Sequence, residues 1–340
     1  MPLFLPHFNL QKHNTLAVPA VADWFVSITN DTELREALAW AGERSLPLLV
    51  LGGGSNLVLR DDFHGLVIHI RSQGKILAAE NEQYVWLQVA AGENWHQLVE
   101  YTLAEGLFGL ENLSLIPGSV GAAPIQNIGA YGVELCDVFA ELSAMEIASG
   151  LSVTFTAESC HFGYRDSIFK NALNGKYIIT QVTLKLSREP RLVLDYPALR
   201  EELKAIPMDQ LTPEKVSEAV IAIRRSKLPD PANMPNAGSF FKNPIVDGPE
   251  YQRLIAAYPD LVAYPQADGH FKLAAAWLID RAGWRGRQLA GAAVHEYQAL
   301  VLTNPQRLPG SAVLALAGHI VQSVEEQFGV TLEMEPRIYP

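Results

Sequence analysis

The stretch that most constrains the fold is residues 47–56, Pro-Leu-Leu-Val-Leu-Gly-Gly-Gly-Ser-Asn. Its first half, Pro47–Leu51, is typical of a buried strand, and the glycines that follow permit positive φ and close approach of the backbone to a partner. The loop of Gly52, Gly53, Gly54, Ser55 and Asn56 offers consecutive N–H groups that can cradle a pyrophosphate. A glycine-rich turn without a ligand is the alternative. The loop does not match GxGxxG, which argues against a Rossmann dinucleotide-binding fold. No GxxxxGK[ST] motif occurs, which argues against a P-loop NTPase.

The segments on either side of this loop show the periods of regular structure. Strands are predicted at Leu66–Ile70, Tyr84–Ala90, Leu151–Thr156 and Tyr177–Leu186, and helices at Glu93–Glu105, at 213–227 and, after a proline-rich hinge over 228–236, at Glu250–Tyr258, Lys272–Ala282 and Ser311–Phe328. Residues 331–339 alternate apolar and polar side chains, which predicts a final strand. With 340 residues, this order predicts an α+β protein of two or three domains.

The composition excludes several classes of protein. A net charge of −11 and a pI near 5.3 argue against a nucleic-acid binder, which needs excess Lys and Arg. Cys136 and Cys160 have neither disulfide-framework nor zinc spacing, and the nine histidines form no ligand cluster, so we expect no metal site. No signal peptide or membrane span is apparent, so we expect a soluble, cytoplasmic protein.

A second small-residue segment, Pro117–Gly132, is too irregular for a helix or strand and too apolar for an exposed linker. It contains Gly118, Ser119, Gly121, Ala122 and Tyr131. Its backbone amides can press against a phosphate or a planar ring, with Tyr131 stacking on the ring. A tight structural loop is the alternative.

Cations gather at the end of the helix over 213–227. Arg224, Arg225 and Lys227 either cap that helix terminus or form a clamp for a diphosphate. Arg165, in Gly-Tyr-Arg-Asp-Ser (163–167), lies beside a phenol and a carboxylate, where an exposed ion pair of small effect is the simpler interpretation.

Two further positions can carry proton or charge chemistry. Ser239, within Asn-Ala-Gly-Ser-Phe-Phe-Lys-Asn-Pro (236–244), stands among small and aromatic residues and can deliver a proton into a water-poor site, or is an ordinary turn residue. No GxSxG motif accompanies it, which argues against a serine hydrolase. Glu335 and Arg337 are two apart on the predicted final strand, so we expect them on one face, where they can stabilise an enolate or are simply solvated.

Taken together, these motifs resemble the UDP-N-acetylenolpyruvoylglucosamine reductase (MurB) family of bacterial peptidoglycan synthesis. The resemblance runs from Asn14-Thr15 to Arg337. Its blocks are Leu-Gly-Gly-Gly-Ser-Asn (51–56), Ala-Gly-Glu-Asn-Trp (91–95), Ile-Pro-Gly-Ser-Val-Gly-Ala-Ala-Pro-Ile-Gln-Asn-Ile-Gly-Ala-Tyr-Gly (116–132), the two segments containing Arg165 and Ser239, and Leu-Glu-Met-Glu (332–335). The segments around Tyr196 and Tyr264 are similar to the longer of the family's two forms, in which a tyrosine loop folds over the substrate.

The resemblance implies a two-part FAD-binding region of the vanillyl-alcohol-oxidase (PCMH) type and a third, α+β substrate-binding domain. The implied boundaries are 1–75 and 76–228 with 329–340 for the two FAD-binding parts, and 229–328 for the substrate domain. FAD would be the cofactor and NADPH the co-substrate, with UDP-N-acetylglucosamine enolpyruvate as the substrate of a monomer.

The resemblance also implies residue roles. The FAD pyrophosphate would lie on the loop 52–56 and on the turn 118–121, with Ala122 and Tyr131 also contacting the cofactor. Arg165 and Glu335 would stabilise an enolate, and Ser239 would protonate the adjacent carbon. Tyr196, Lys227 and Asn243 would bind the diphosphate and uridine.

The chain departs from the family pattern at its end, which is Leu-Glu-Met-Glu-Pro where the family has Leu-Glu-Pro-Glu. The catalytic acid can therefore be Glu333 or Glu335, and we favour Glu335. Two other functions compete: an FAD oxidase that uses oxygen, and a nucleotide-sugar binding protein without redox activity.

Overall fold

The computed structural model describes residues 2–340, which form a mixed set of strands and helices. The strands are β1 Leu5–Asn9, β2 Val21–Ile28, β3 Leu48–Leu51, β4 Leu57–Leu59, β5 Phe63–Ile70, β6 Lys75–Glu80, β7 Tyr84–Ala90, β8 Gly129–Ala130, β9 Val133–Glu134, β10 Phe139–Glu146, β11 Ser152–Thr156, β12 Tyr177–Ser187, β13 Asn236–Ser239, β14 Ile245–Val246, β15 Ala263–Pro265, β16 Phe271–Leu273, β17 Gln288–Leu289, β18 Ala292–Val294, β19 Val301–Thr303 and β20 Arg337–Tyr339. The helices are α1 Asp31–Gly42, α2 Trp95–Ala104, α3 Ala157–Cys160, α4 Pro197–Leu203, α5 Pro213–Lys227, α6 Gly248–Ala257, α7 Ala275–Arg281 and α8 Gly310–Phe328.

The chain divides into two compact units. The first contains the residues up to Phe8, Ala22–Gly53 and His64–Ser226, and the second contains Asn9–Val21, Gly54–Phe63 and Lys227–Pro340. One boundary falls inside the glycine loop, between Gly53 and Gly54, and another falls at the end of α5. The division into three domains remains a prediction.

Two sheets form the framework of the first unit. One has the order β1-β2-β5-β3, and the other, antiparallel throughout, has the order β11-β10-β12-β7-β6. The five alternating side chains predicted to share a face of β12 are all buried: Ile178, Thr180, Val182, Leu184 and Leu186. A bulge interrupts the strand, because Ser143 and Ala144 of β10 pair with Gln181 and Ile179. Ile178 therefore packs in a different apolar cluster from Val182, Leu184 and Leu186, whereas Ile179 packs with them. The core therefore extends over both faces of this strand.

The predicted helices of the first unit begin and end close to the expected residues. Thr212 precedes α5, where its Oγ1 accepts a hydrogen bond from Lys215 N at 3.4 Å. The apolar stripe of α5, expected from the helical spacing of Val216, Ala219, Val220 and Ile223, is buried against Leu199 and Leu203 of α4. Helix α2 starts at Trp95 rather than Glu93, because the Asn94 side chain caps it through Gln97 N at 3.0 Å.

The second unit contains three small sheets and the remaining helices. Their orders are β13-β19-β18-β17, β14-β16-β15 and the parallel pair β20-β4. Helix α8 forms as predicted, whereas α7 begins only at Ala275, because Phe271–Leu273 pairs with β14 and β15 as a strand.

The prediction of a continuous strand over 331–339 is wrong. Met334 forms an isolated bridge with Phe241, Pro336 is a buried bend, and pairing resumes only in β20. Because the bend separates Glu335 from Arg337, the two residues do not share a strand face. Ile338 is 42% exposed, which also breaks the expected alternation.

The segment 116–132 is irregular, as expected. It contains a 3-10 turn over Val120–Gln126 and strand β8, which pairs with β9 directly after the segment. Within residues 2–340, no helix has the length and apolarity to cross a bilayer. No group of three or more His, Cys, Asp or Glu side chains in that range is arranged to hold a metal ion.

Candidate active site

Each glycine of the loop 52–54 lies too close to another segment to tolerate a side chain. In the first unit, a Cβ on Gly52 would lie 2.2 Å from Ser119 Oγ, and a Cβ on Gly53 would lie 2.8 Å from Gly118 Cα. In the second unit, Gly54 has φ +64° and a Cβ there would lie 2.1 Å from the His13 carbonyl oxygen. Gly53 and Gly54 are therefore required for close contact with another backbone segment, Gly52 faces the Ser119 side chain, and only Gly54 also requires positive φ.

The contact of Gly52 and Gly53 with the 118–119 turn places backbone donors side by side. The turn is fixed by Trp95 N, which donates to Gly118 O at 3.1 Å, and by Val120 N, which donates to Glu93 O at 2.9 Å. The N–H groups of Gly53 and Ser119 donate to no other backbone group among the described residues. Such donors, with no side chain between them, suit an anionic ligand.

Arg165 is held rigidly at the tip of a tight turn in the first unit. Gly163 and Asp166 exchange backbone hydrogen bonds of 3.0 and 3.1 Å around it, and Arg165 has φ +53°. Its Nη2 donates to Gly129 O at 2.6 Å, and its Nη1 lies 3.9 Å from Glu134 Oε1. The side chain is only 20% exposed, so its position is defined by packing as well as by these contacts.

Arg224, on the last turns of α5, is a second guanidinium of the first unit. Its Nε is buried and has no hydrogen-bond partner in the described part of the chain. Burial lowers the pKa of Arg224, Tyr131 offsets part of that shift, and the charge of Arg165 adds to it. A buried N–H without a hydrogen-bond partner raises the free energy of the folded state unless an acceptor, such as an anion, pairs with it.

The environment of Arg224 is aromatic. Tyr131, at φ +50°, packs against Tyr196 in an edge-to-face contact with ring centroids 5.1 Å apart. Burial raises the pKa of Tyr131, and the nearby Arg224 charge lowers it in part. Two tyrosines that are distant in sequence therefore lie together near two cations.

Backbone pairing in the second unit joins Glu335 to the residue that follows Ser239. Gly238 has φ +69° and its N–H donates to Asn236 Oδ1 at 2.9 Å, which makes an irregularity in β13 directly before Ser239. Glu335 N donates to the carbonyl of Phe240, the residue after Ser239, at 2.9 Å. Both Ser239 and Glu335 are half-buried.

Glu333 has a different environment. Its carboxylate forms an ion pair with Lys242, and its side chain is 69% exposed. Lys242 N also donates to the Glu333 carbonyl at 2.9 Å. The two candidate acids of the sequence are thus clearly distinguished by burial.

Among the remaining predicted ligand residues, Ser55, Asn56, Lys227 and Asn243 lie in the second unit, whereas Gly121 and Ala122 lie in the first. Asn243 Oδ1 accepts from Ala275 N at 2.9 Å, at the start of α7, so a ligand contact would have to come from its Nδ2. Lys227 is exposed at the end of α5. The backbone of Asn56 accepts from Arg337 N at 3.1 Å, next to Ser55.

The structure separates the cations that the sequence groups together. Arg225 and Lys227 are exposed, whereas the Arg224 Nε is buried. Helical spacing alone places Arg224 near the buried stripe of Val220 and Ile223, and this was the available signal for its burial. The positive φ of Tyr131 has no signal in the sequence, because tyrosine disfavours that region.

Comparisons with known proteins identify the family of the chain. The family described as "UDP-N-acetylenolpyruvoylglucosamine reductase, C-terminal domain" matches residues 230–339, and the family described as "FAD binding domain" matches residues 22–156. These matches confirm the predicted α+β class with an FAD-binding region and a further domain. The solved UDP-N-acetylenolpyruvylglucosamine reductase (MurB) from Thermus caldophilus has the same fold, with a TM-score of 0.69 and 24% identity, covering 100% of this chain and 99% of that one.

Curated relatives match over nearly the whole length. UDP-N-acetylenolpyruvoylglucosamine reductases from Pseudomonas aeruginosa and Pseudomonas putida are 49% and 47% identical, covering 98% and 97% of this chain and the same shares of the relatives. That of Paraburkholderia phymatum is 49% identical over 98% of this chain and 97% of its own. The chain therefore belongs to the UDP-N-acetylenolpyruvoylglucosamine reductase family.

Proposed function

We propose that this protein reduces UDP-N-acetylglucosamine enolpyruvate to UDP-N-acetylmuramate at the expense of NADPH, with FAD as its cofactor, in peptidoglycan synthesis. The observation that carries the proposal is 47–49% identity to reductases of this name over 97–98% of the chain. The match of residues 22–156 to an FAD binding domain supports the cofactor.

The first unit fits the cofactor. Gly52 and Gly53 meet the turn of Gly118 and Ser119 without intervening side chains, so that pyrophosphate oxygens can reach the N–H groups of Gly53 and Ser119. Gly54, Ser55 and Asn56 would continue this site, with Gly121, Ala122 and Tyr131 as further contacts. When bound, FAD supplies the redox chemistry that connects NADPH to the enolpyruvyl double bond.

Arg165 and Glu335 would stabilise the negative charge that develops on the substrate's carboxylate side. Arg165 suits this role because Gly129 O already orients its guanidinium, so little reorganisation is needed in the transition state. Arg224 adds a second charge near Arg165, and its unsatisfied Nε supports an anionic ligand there.

Ser239 would donate the proton that completes the reduction. The hydroxyl is half-buried, and a fixed donor is most effective where water is scarce. Glu335 is preferred over Glu333 because Glu333 is exposed and paired with Lys242, whereas Glu335 is half-buried and tied by its backbone to the residue after Ser239.

Tyr196, Lys227 and Asn243 would bind the uridine diphosphate moiety. Tyr196 begins α4 and packs on Tyr131, which is consistent with a tyrosine loop of the longer family form. We further propose a cytoplasmic monomer with the three domains 1–75, 76–228 with 329–340, and 229–328.

The test begins with the visible spectrum of the purified protein, which we expect to contain the bands of oxidised flavin. Under anaerobic conditions NADPH should bleach these bands, and UDP-N-acetylglucosamine enolpyruvate should restore them with formation of UDP-N-acetylmuramate. A flavin that is bleached by NADPH but reoxidised only by oxygen would instead indicate an oxidase. A protein without flavin bands that binds the nucleotide sugar would indicate a binding protein.

A further inference from the structure

The first turn of α2 fixes the loop that carries the Gly118–Ser119 donors. Trp95 Nε1 donates to Leu113 O at 3.0 Å, and Trp95 N donates to Gly118 O at 3.1 Å. Between these two anchors the chain must pass through Leu115. The geometry of the loop therefore depends on what holds that residue.

Leu115 has φ +58°, in the left-handed region that a leucine adopts only under constraint. The constraint that the structure provides is a hydrogen bond from Leu115 N to His96 Nδ1 at 3.1 Å. His96 follows Trp95 in α2, so the Trp95 and His96 side chains hold Leu113 and Leu115, and the Trp95 backbone N–H holds Gly118.

This hydrogen bond requires a neutral imidazole with its proton on Nε2, because Nδ1 acts as the acceptor. His96 Nε2 lies 3.6 Å from Glu100 Oε1, whose charge favours protonation of the ring. Burial lowers the pKa of His96, and Arg225 and Arg224 of α5 lower it further against the effect of Glu100. The segment 113–120 contains no titratable side chain.

The loop has little room to move. Gly118 Cα would lie 2.8 Å from a Cβ on Gly53, and Ser119 Oγ would lie 2.2 Å from a Cβ on Gly52. A shift of a few tenths of an ångström at Leu115 would therefore be transmitted to the facing glycine loop.

We infer that His96 is a positioning residue for FAD: its neutral Nδ1 holds Leu115 in the left-handed conformation and so sets the Gly118–Ser119 donors opposite Gly53. The inference rests on the proposed function, because it takes the bound anion to be the FAD pyrophosphate.

The test compares His96→Phe, which keeps the ring shape without an acceptor, with His96→Asn, whose Oδ1 can replace Nδ1 and does not titrate. FAD affinity is measured on apoprotein at pH 7.5, and amide hydrogen exchange over 115–119 is measured on the same apoprotein. We expect about tenfold weaker FAD binding and faster exchange in His96→Phe, as the loss of one such hydrogen bond would give. His96→Asn should stay within about threefold of the unaltered protein.

The dependence of FAD affinity on pH distinguishes this role from a purely structural one, which would not make FAD affinity depend on the protonation of His96. FAD binding by the unaltered protein should weaken as the pH falls through the lowered pKa of His96 and the ring becomes protonated, while His96→Asn should lack this component. This comparison remains available if His96→Phe fails to fold.

Equal pH profiles for the unaltered protein and His96→Asn, or unchanged FAD affinity and exchange in His96→Phe, would overturn the inference. If the unaltered protein binds no FAD, the proposed function fails, and the exchange of 115–119 still decides whether His96 positions the loop.

Discussion

The glycine-loop region of the first unit and the Ser239–Glu335 region of the second unit are built on different principles. In the first, a Cβ on Gly53 would lie 2.8 Å from Gly118 Cα, and Gly52 faces the Ser119 hydroxyl, so the close approach of two backbone segments shapes the site. In the second, backbone hydrogen bonds hold half-buried side chains, with Glu335 N donating to Phe240 O.

The difference suggests how each region responds to substitution. Where the shape of the backbone makes the site, an added methyl group is the damaging change, and its main effect is on binding. Where a side chain supplies a proton or a charge, its removal affects the rate and leaves the fold intact. The following predictions test this distinction.

The largest effect is expected for Ser239→Ala. NADPH should still reduce the flavin at nearly the normal rate, while reoxidation by the enolpyruvyl substrate should slow by about 10²–10⁴-fold, as expected for the loss of a general acid. Anaerobic stopped-flow absorbance measures the two half-reactions separately. Equal losses in both would contradict the role of Ser239 and suggest a structural fault.

Glu335→Gln should slow the same half-reaction by about 10²–10³-fold, since it removes a charge-stabilising group. Glu333→Gln is the matched control and should stay within about twofold, because an exposed ion pair contributes little. The reverse pattern would transfer the catalytic role to Glu333.

Gly53→Ala should weaken FAD binding by about 10–100-fold, as overpacking of 1–3 kcal/mol implies, with a smaller effect on turnover at saturating FAD. Gly42→Ala is the control, because a Cβ at Gly42 has nothing within 4 Å. Fluorescence titration of apoprotein with FAD measures both. Normal FAD affinity in Gly53→Ala would contradict the view that the close approach of two backbone segments makes the site in the glycine-loop region.

The smallest effect is expected for Glu111→Gln, which tests whether the first unit needs ionised side chains in its framework. Glu111 is buried, and its Oε2 accepts from Gly109 N at 2.7 Å. Burial raises the pKa of Glu111, so its favourable contribution is present below pH 4.5 and is lost as the pH rises through the raised pKa. The variant, which keeps an acceptor, should gain on the order of 1 kcal/mol at pH 8 and nothing at pH 4.

Thermal unfolding at the two pH values measures this difference. A gain that is the same at both would show that the charge of Glu111 is irrelevant.

The sequence predicts best where a single local pattern decides the structure. The apolar stripe of α5 follows from spacing alone and forms as predicted, whereas a bulge breaks the predicted alternation of β12 and separates Ile178 from Val182, Leu184 and Leu186. The strands β10 and β6 were not predicted, because their Ala, Leu, Met, Glu and Lys residues favour a helix and only pairing with β12 and β7 makes them strands.

The candidate site shows the same limit. The glycine loop and its need for close backbone contact follow from composition, but the identity of each contact, such as His13 for Gly54, depends on residues far away in the chain. The burial of Arg224 and the contact of Tyr131 with Tyr196 likewise arise only from the tertiary fold. The failed strand over 331–339 reflects Pro336, which has no N–H for a continuing ladder.

Because of the bend at Pro336, the last residues of the chain help to hold Glu335 in place. Glu335 N is bonded to Phe240 O on one side of the bend, and Arg337 N is bonded to Asn56 O on the other, so the chain changes partners within three residues. A truncated protein ending at Pro336 would keep every proposed catalytic residue. It would lose the hydrogen bond from Arg337 N to Asn56 O, so the segment that carries Glu335 would no longer be held on its C-terminal side. Shortening the C-terminus, or replacing β20 in a chimera, would therefore change the position of Glu335 in the proposed active site.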